Sequence, residues 1–170
     1  MKRESQPSVT ACFTGHRPEK LPKALIPQIK LSLDGAVNAA VRGGITHFIC
    51  GMSRGFDTMA AYAVIEARSA APGLILEAAL PCIDQTAKWS KSDRAEYEYL
   101  LQQADVVTCL HPEYISGCMH RRNEYMISAS RLLIACYDGS QSGGTAHTVR
   151  LAQKGGVEIV NVYPAVKEGL

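Results

Sequence analysis

The sequence predicts an α/β protein with a Rossmann-like three-layer fold, in which a mainly parallel six-stranded sheet carries helices on both faces. Two patterns lead there. Short apolar runs of strand length alternate along the chain with longer segments whose apolar residues recur at helical spacing, and Gly- or Pro-containing turns separate them. A chain of 170 residues with 46% hydrophobic content also buries a substantial core, and that length suits one domain spanning residues 1–170, its core about 9–163. The strand order expected for such a chain is 3-2-1-4-5-6.

Residues 9–14 form the first apolar run and stop in the polar loop Gly15-His16-Arg17-Pro18. From Pro27, the apolar residues Ile29, Leu33, Ala36, Val37, Ala40 and Val41 fall on one helical face, and Gly43-Gly44 ends the helix. Gly35 weakens that helix by roughly 1 kcal/mol relative to Ala unless close packing needs it. Residues 47–50 read as the second strand. Gly51-Met52-Ser53-Arg54-Gly55 then turns into a helix that points Phe56, Met59, Ala60, Ala63, Val64 and Ala67 inward, and Pro72-Gly73 breaks it. The third strand spans 74–80. Ser90 with Asp93 resembles a capping box, opening a helix whose inner face carries Tyr97, Leu100 and Leu101. Residues 106–110 form the fourth strand, 119–129 a helix, 132–136 the fifth strand, 145–154 the last helix and 157–162 the sixth strand.

Composition narrows the function. A net charge of +2 with dispersed Lys and Arg gives no strong electrostatic footprint for nucleic acid, which stays compatible but is not favoured. The six cysteines lack CxxC spacing, and five lie in or just beyond strands, which suits buried thiols in a reducing compartment. The polar start MKRESQPSV has no signal-peptide core, and no apolar run reaches the roughly 20 residues that cross a bilayer. A cytoplasmic protein without membrane attachment is expected, and a homo-oligomer is compatible with the sequence.

In a parallel sheet of this kind, ligands bind beyond the carboxyl ends of the strands, so every loop after a strand is a candidate site wall. The turn after the fifth strand is the most telling, because Gly143-Gly144-Thr145 opens a helix. Unpaired N–H groups and the positive dipole end there suit an anion, phosphate above all, although the same turn also serves ordinary strand-to-helix packing. Arg17, Arg54 and Arg122 lie in or beside different loops of this edge, and their forked guanidinium groups match phosphate. Asp57, Glu113, Glu124 and Asp138 are carboxylates on the same side, suited to a base or to ribose hydroxyls. Trp89, the only tryptophan, either stacks on a base or packs over the sheet edge. His16, His111, His120 and His147 share the edge without HExxH spacing, so no metal site is expected. Gly51 to Gly55 has G-x-S-x-G spacing, but no oxyanion partner accompanies it.

Taken together, the segments Phe13-Thr14-Gly15-His16-Arg17-Pro18, Gly51-Met52-Ser53-Arg54-Gly55-Phe56-Asp57, Gln85 with Trp89, Arg122-Asn123, and Tyr137-Asp138-Gly139 with Gly143-Gly144-Thr145 resemble the YpsA-like proteins of the SLOG superfamily, relatives of the DprA and LOG proteins. The resemblance covers about residues 9–163. It implies a ligand site at the carboxyl edge built from Thr14, Gly15, His16, Arg17, Gly51, Ser53, Arg54, Gly55, Asp57, Trp89, Arg122, Asn123, Asp138, Gly143, Gly144 and Thr145. The ligand it implies is a nucleotide or an ADP-ribose-like molecule, bound for sensing or regulation. Two alternatives accompany it. The LOG-type phosphoribohydrolases carry PGGxGTxxE, whereas this chain lacks the Pro and has Thr148 in place of the Glu, so hydrolysis would need Asp57, Glu124 or Asp138 as a substitute. Arg122-Asn123 is similar to the arginine motif of DprA-like proteins, which points to single-stranded DNA.

Overall fold

The structure is a computed structural model that describes residues 7–165; the remainder of the polar N-terminal stretch and residues 166–170 lie outside the described residues. Six parallel strands, β1 (Thr10–Gly15), β2 (His47–Cys50), β3 (Ile75–Leu80), β4 (Val106–Cys109), β5 (Leu132–Cys136) and β6 (Glu158–Asn161), form one sheet in the order β4-β3-β2-β1-β5-β6. They alternate with α1 (Ile26–Arg42), α2 (Phe56–Ala67), α3 (Lys91–Gln103), α4 (Cys118–Ser128) and α5 (Gly144–Lys154).

This order corrects the expected 3-2-1-4-5-6. β4 lies outside β3, pairing Glu77 with Val106, and β5 takes the place beside β1, pairing Cys12 with Leu133. Burial supplies the reason. All five residues of β5 are buried, as a central strand requires, whereas β4 alternates between half-buried and exposed positions and carries an exposed Val107. The Asp105 carboxylate accepts from the Leu76 N–H at 2.8 Å and pairs with Arg68, docking the start of β4 on β3. Cys109 on this edge strand is therefore exposed, while Cys12, Cys50, Cys82, Cys118 and Cys136 are buried free thiols.

The direction of travel decides which helix covers which face. From β1 to β4 the chain steps one way, and right-handed crossovers put α1, α2 and α3 on one side. Ile29, Leu33, Phe56, Ala60, Val64 and Leu100 pack there against Ala11, Phe13, Phe48 and Leu76. α4 then carries the chain back past β1, so α4 and α5 lie on the opposite face, where Met126, Ile127, Val149 and Ala152 meet Cys12, Ile49, Ala79 and Leu133. Glu77 ties α4 to this face. Its buried carboxylate accepts from His47 at 2.6 Å, Thr108 at 2.8 Å and Tyr125 at 2.6 Å, so the charge is hydrogen-bonded on three sides. The Tyr125 bond holds α4 in the rotation that aims Arg122 at the sheet edge.

β1 and β5 stay paired to their last residues, Gly15 and Cys136, but the connections that follow leave to opposite faces of the sheet and open a crevice at that point. One helix position stands apart from the packing. Gly35 is exposed in α1, with nothing within 4 Å of the place a Cβ would occupy. Gly35→Ala is expected to stabilise the protein by about 1 kcal/mol, read as a higher urea midpoint at unchanged slope.

Candidate functional site

A cavity of about 270 Å³ fills the crevice. β1 and its following loop contribute Thr14, Gly15, His16 and Arg17; the β2–α2 connection contributes Ser53 and Asp57; α4 contributes Arg122 and Asn123; the start of α5 contributes Gly143, Gly144 and Thr145. Eleven residues expected at the site from sequence thus meet around one space. Lys20, Glu19 and Met119 also line it. Lys20 is the addition that matters: its ammonium lies 3.9 Å from where a Cβ on Gly143 would stand, beside the start of α5. The residue follows Pro18 in a short helical turn, Pro18–Lys20, and nothing in its sequence neighbourhood marks it apart from the turn itself.

The helix start is open. Gly143, the N-cap of α5, has φ 104° and offers no side-chain acceptor, so the N–H groups of the first turn lack a cap. At Gly144 nothing lies within 4 Å of where a methyl group would stand. The other glycines of the motifs do different work. A Cβ on Gly15 would stand 2.4 Å from the Phe56 ring, and one on Gly51 would stand 2.6 Å from Arg122 Nη1 and 3.1 Å from Asp57 Oδ2. One on Gly55 would stand 2.6 Å from the His16 carbonyl oxygen. Those three glycines let the loops pack on one another; Gly51 and Gly55 do so off the cavity wall, and Gly15 on it.

Arg122 is buried. Its Nη1 donates to the Gly51 carbonyl at 2.6 Å and its Nε to Asn123 Oδ1 at 2.9 Å, so a backbone carbonyl and a neighbouring side chain hold it in place. Asp57 lies beneath it, accepting from the Ser53 N–H at 3.1 Å. Burial pushes the Asp57 carboxyl up from its ordinary 3.8, with Arg122, the Ser53 N–H and Arg17 pulling the other way. Arg17 is exposed at the mouth, and neither it nor Lys20 forms an ion pair among the described residues. The cavity therefore offers two unengaged cations, one buried cation and an uncapped helix start, against Asp57 and Glu19.

Six of the expected residues, counting the carboxylate candidate Glu124, fall elsewhere. Arg54 turns away from Arg17 and Arg122: its Nη2 donates to Glu19 at 2.9 Å, its Nη1 lies 3.8 Å from Asp93, and its guanidinium stands 6.0 Å from the Trp89 ring. Arg54, Gly55 and Trp89 line a neighbouring cavity of about 330 Å³, so the three arginines do not surround one space. Trp89 packs edge-on to Tyr97, ring centroids 5.4 Å apart. Asp138 sits behind His16, with Oδ1 3.0 Å from Nε2, and also accepts from the Ser140 hydroxyl at 2.6 Å and N–H at 3.0 Å. The Ser140 hydroxyl, with smaller help from His16, holds the Asp138 carboxyl below the usual range. Glu124 is exposed on α4, outside the cavity lining. Gly51 is the floor on which Arg122 rests. Thr148 is buried in α5 and donates to the Gly144 carbonyl at 2.9 Å, which occupies its hydroxyl within its own helix.

Fold and site together define a Rossmann-like α/β protein with a cation-rich cavity at the topological switch point. The chain belongs to the YspA SLOG family, whose YpsA model matches residues 11–160. A UPF0398 protein of Bacillus thuringiensis (strain Al Hakam) is 31% identical over 137 residues, which span 79% of this chain and 74% of that one. A UPF0398 protein of Halalkalibacterium halodurans is 26% identical over 131 residues, 76% of this chain and 69% of the relative. Among solved structures, DNA processing protein A (DprA) from Streptococcus pneumoniae is similar at a TM-score of 0.64 and 16% identity, covering 95% of this chain and 52% of that one. DNA processing protein A from Helicobacter pylori, described in a single-stranded DNA binding mode, gives 0.62 and 19%, covering 90% and 64%. Such identities speak for the fold. The chain spans about half of the first DprA protein and under two thirds of the second.

Among the described residues, no helix is long and apolar enough to cross a membrane, and no group of three or more His, Cys, Asp or Glu stands together as metal ligands.

Proposed function

We propose that the protein binds a nucleotide or nucleotide-derived ligand of the ADP-ribose type, as a cytoplasmic sensor or regulator, with a phosphate in the switch-point cavity. The observation that carries this reading is the convergence of the uncapped α5 start at Gly143-Gly144 with Arg17, Lys20 and buried Arg122. An anion there gains unpaired N–H donors and cations together. Thr14, Ser53, Asn123 and Thr145 add polar groups suited to sugar hydroxyls. The hydrolase alternative is less well supported, since Glu124 and Asp138 lie off the cavity wall and Asp57, the carboxylate left on it, is already committed to Ser53 and Arg122.

A second reading, single-stranded DNA binding, is favoured by the fold likeness to the Helicobacter pylori protein. Calorimetric titration of the full chain with ADP-ribose, nucleoside mono- and diphosphates and a short single-stranded oligonucleotide separates the readings. The expected result is saturable one-to-one binding of the small ligands with little free base released on prolonged incubation. Binding confined to the oligonucleotide, weakening steeply with salt, would transfer the site to DNA. Multiple turnover to free base would make the protein a hydrolase.

A further inference from the structure

The two edges of the sheet are finished differently. β6 closes one side and carries the exposed Glu158 within the strand, a charge of the kind that keeps edge strands from pairing. β4 closes the other, and among the described residues it pairs with β3 alone. From Val106 to Leu110 the chain reads VVTCL, with neither a charge nor a proline to block a further strand. The outer side of β4 thus presents unpaired backbone N–H and C=O groups, the template for another strand.

Apolar surface gathers at the same edge. Val107 and Cys109 project from one face of β4 and are both exposed. Their register partners in β3, Ala78 and Leu80, are buried in the cluster that includes Tyr97 and Leu100 of α3, so the cover that α3 gives β3 does not extend to β4. Ile83, 68% exposed, and Tyr114, 66% exposed, stand in the loops that follow β3 and β4. The large exposed apolar side chain of β6, Val160, reaches 37%. β4 lies three strands from β1, and neither Val107 nor Cys109 lines a cavity described above, so this edge is separate from the phosphate reading.

We propose that β4 is the contact between two copies of this chain, paired antiparallel about a two-fold axis so that their sheets join. Closure and charge select this occupant. Pairing β4 with the β6 of another copy would leave a free edge at each end and grow into a filament, with Glu158 in the contact, whereas two β4 strands close on each other. Direction follows from the strand ends. Asp105 precedes β4 and stays 48% exposed although Arg68 pairs with it, and His111 follows the strand. A parallel pair would set Asp105 beside Asp105; an antiparallel pair sets each carboxylate beside the other copy's His111. With Thr108 on the axis, Val107 of one copy lies opposite Cys109 of the other, and each covers the other's exposed side chain. The Thr108 hydroxyl stays on the opposite face, donating to Glu77 at 2.8 Å.

Cys109 is the exposed cysteine among the described residues, the other five being buried, so its thiol reports the contact in the native chain. The full chain is followed by sedimentation velocity over a micromolar to millimolar dilution series, as wild type and as Val107→Lys, and a short bis-maleimide is added at the concentrated end. Wild type should sediment as a dimer when concentrated and dissociate on dilution, as a small edge contact does. The cross-linker should join Cys109 to Cys109, which stand two positions apart across the axis. Val107 is exposed, so Val107→Lys should keep the circular dichroism of wild type while weakening dimerisation at least about tenfold and removing the cross-link, since a lysine on an edge strand opposes pairing. Cys109→Ser should remove the cross-link and keep the dimer. A monomer throughout the series would overturn the proposal and leave the edge to a strand of another protein. Species growing beyond the dimer would replace it with head-to-tail pairing. A dimer unchanged by Val107→Lys, or a cross-link that survives Cys109→Ser, would move the contact away from β4.

Discussion

Gly55→Ala is expected to destabilise the protein by about 3 kcal/mol or more, because two costs fall on one position. Gly55 has φ 89°, where an L side chain costs roughly 1–2 kcal/mol, and its Cβ would stand 2.6 Å from the His16 oxygen and 2.9 Å from Arg17 C and Cα. Those are backbone atoms, so no rotamer relieves the overlap, and forced shifts in packed regions cost about 1–3 kcal/mol. The shift would also pull apart the 3.1 Å bond from the Phe56 N–H to the same His16 oxygen, which fixes α2 to the β1 loop. Gly144→Ala is the control. With open space around it and no left-handed backbone, its urea midpoint should move little. Equal tolerance at both positions would mean that the β1 and β2 loops are not packed as described.

Arg122→Met is the second large effect, about 3–5 kcal/mol, since removing one of two neighbouring buried charges of opposite sign leaves the other uncompensated. The variant loses the bond to Gly51 and strands Asp57 under an apolar side chain. Asp57 also gives the loss a pH signature. Burial already raises its carboxyl above 3.8, and Arg122 is the largest influence lowering it, so the substitution raises it further. A group raised in the folded state contributes stability below its unfolded value and loses it as pH rises through the folded value. The deficit of Arg122→Met should therefore grow as pH rises past the already raised folded value of Asp57 in the wild type, the reverse of ordinary acid sensitivity. Adding Asp57→Asn should recover part of the stability, making the pair non-additive in a double-mutant cycle. A pH-independent deficit with additive costs would show that Asp57 and Arg122 do not share a charge balance.

Periodicity carries most of the fold. β5 reads as an unbroken apolar run and is wholly buried; the capping pair is present, with Ser90 Oγ accepting from the Asp93 N–H at 3.1 Å. Strand order is less legible, because it depends on where α4 returns to the sheet, and only the half-exposed pattern of β4, visible as a Thr and a Cys within four residues, hints at an edge. Motif spacing locates the loops but not what each glycine approaches: Gly143 and Gly144 open on the cavity, while Gly15, Gly51 and Gly55 face protein. Arg54 departs from expectation for a related reason. Its partners, Glu19 and Asp93, come from elements distant in the chain, and local sequence does not reveal them.

The central claim is that the α5 start and the cations facing it hold a phosphate. Calorimetric titration of wild type, Gly144→Val, Arg17→Ala and Arg54→Ala with inorganic pyrophosphate tests it most directly, once circular dichroism shows each variant folded. The account predicts loss of binding in Gly144→Val, at least about tenfold weakening in Arg17→Ala for one charge-assisted bond, and near wild-type affinity in Arg54→Ala, whose guanidinium serves the neighbouring cavity. Wild-type affinity in folded Gly144→Val and Arg17→Ala would contradict it and place any anion elsewhere on the molecule.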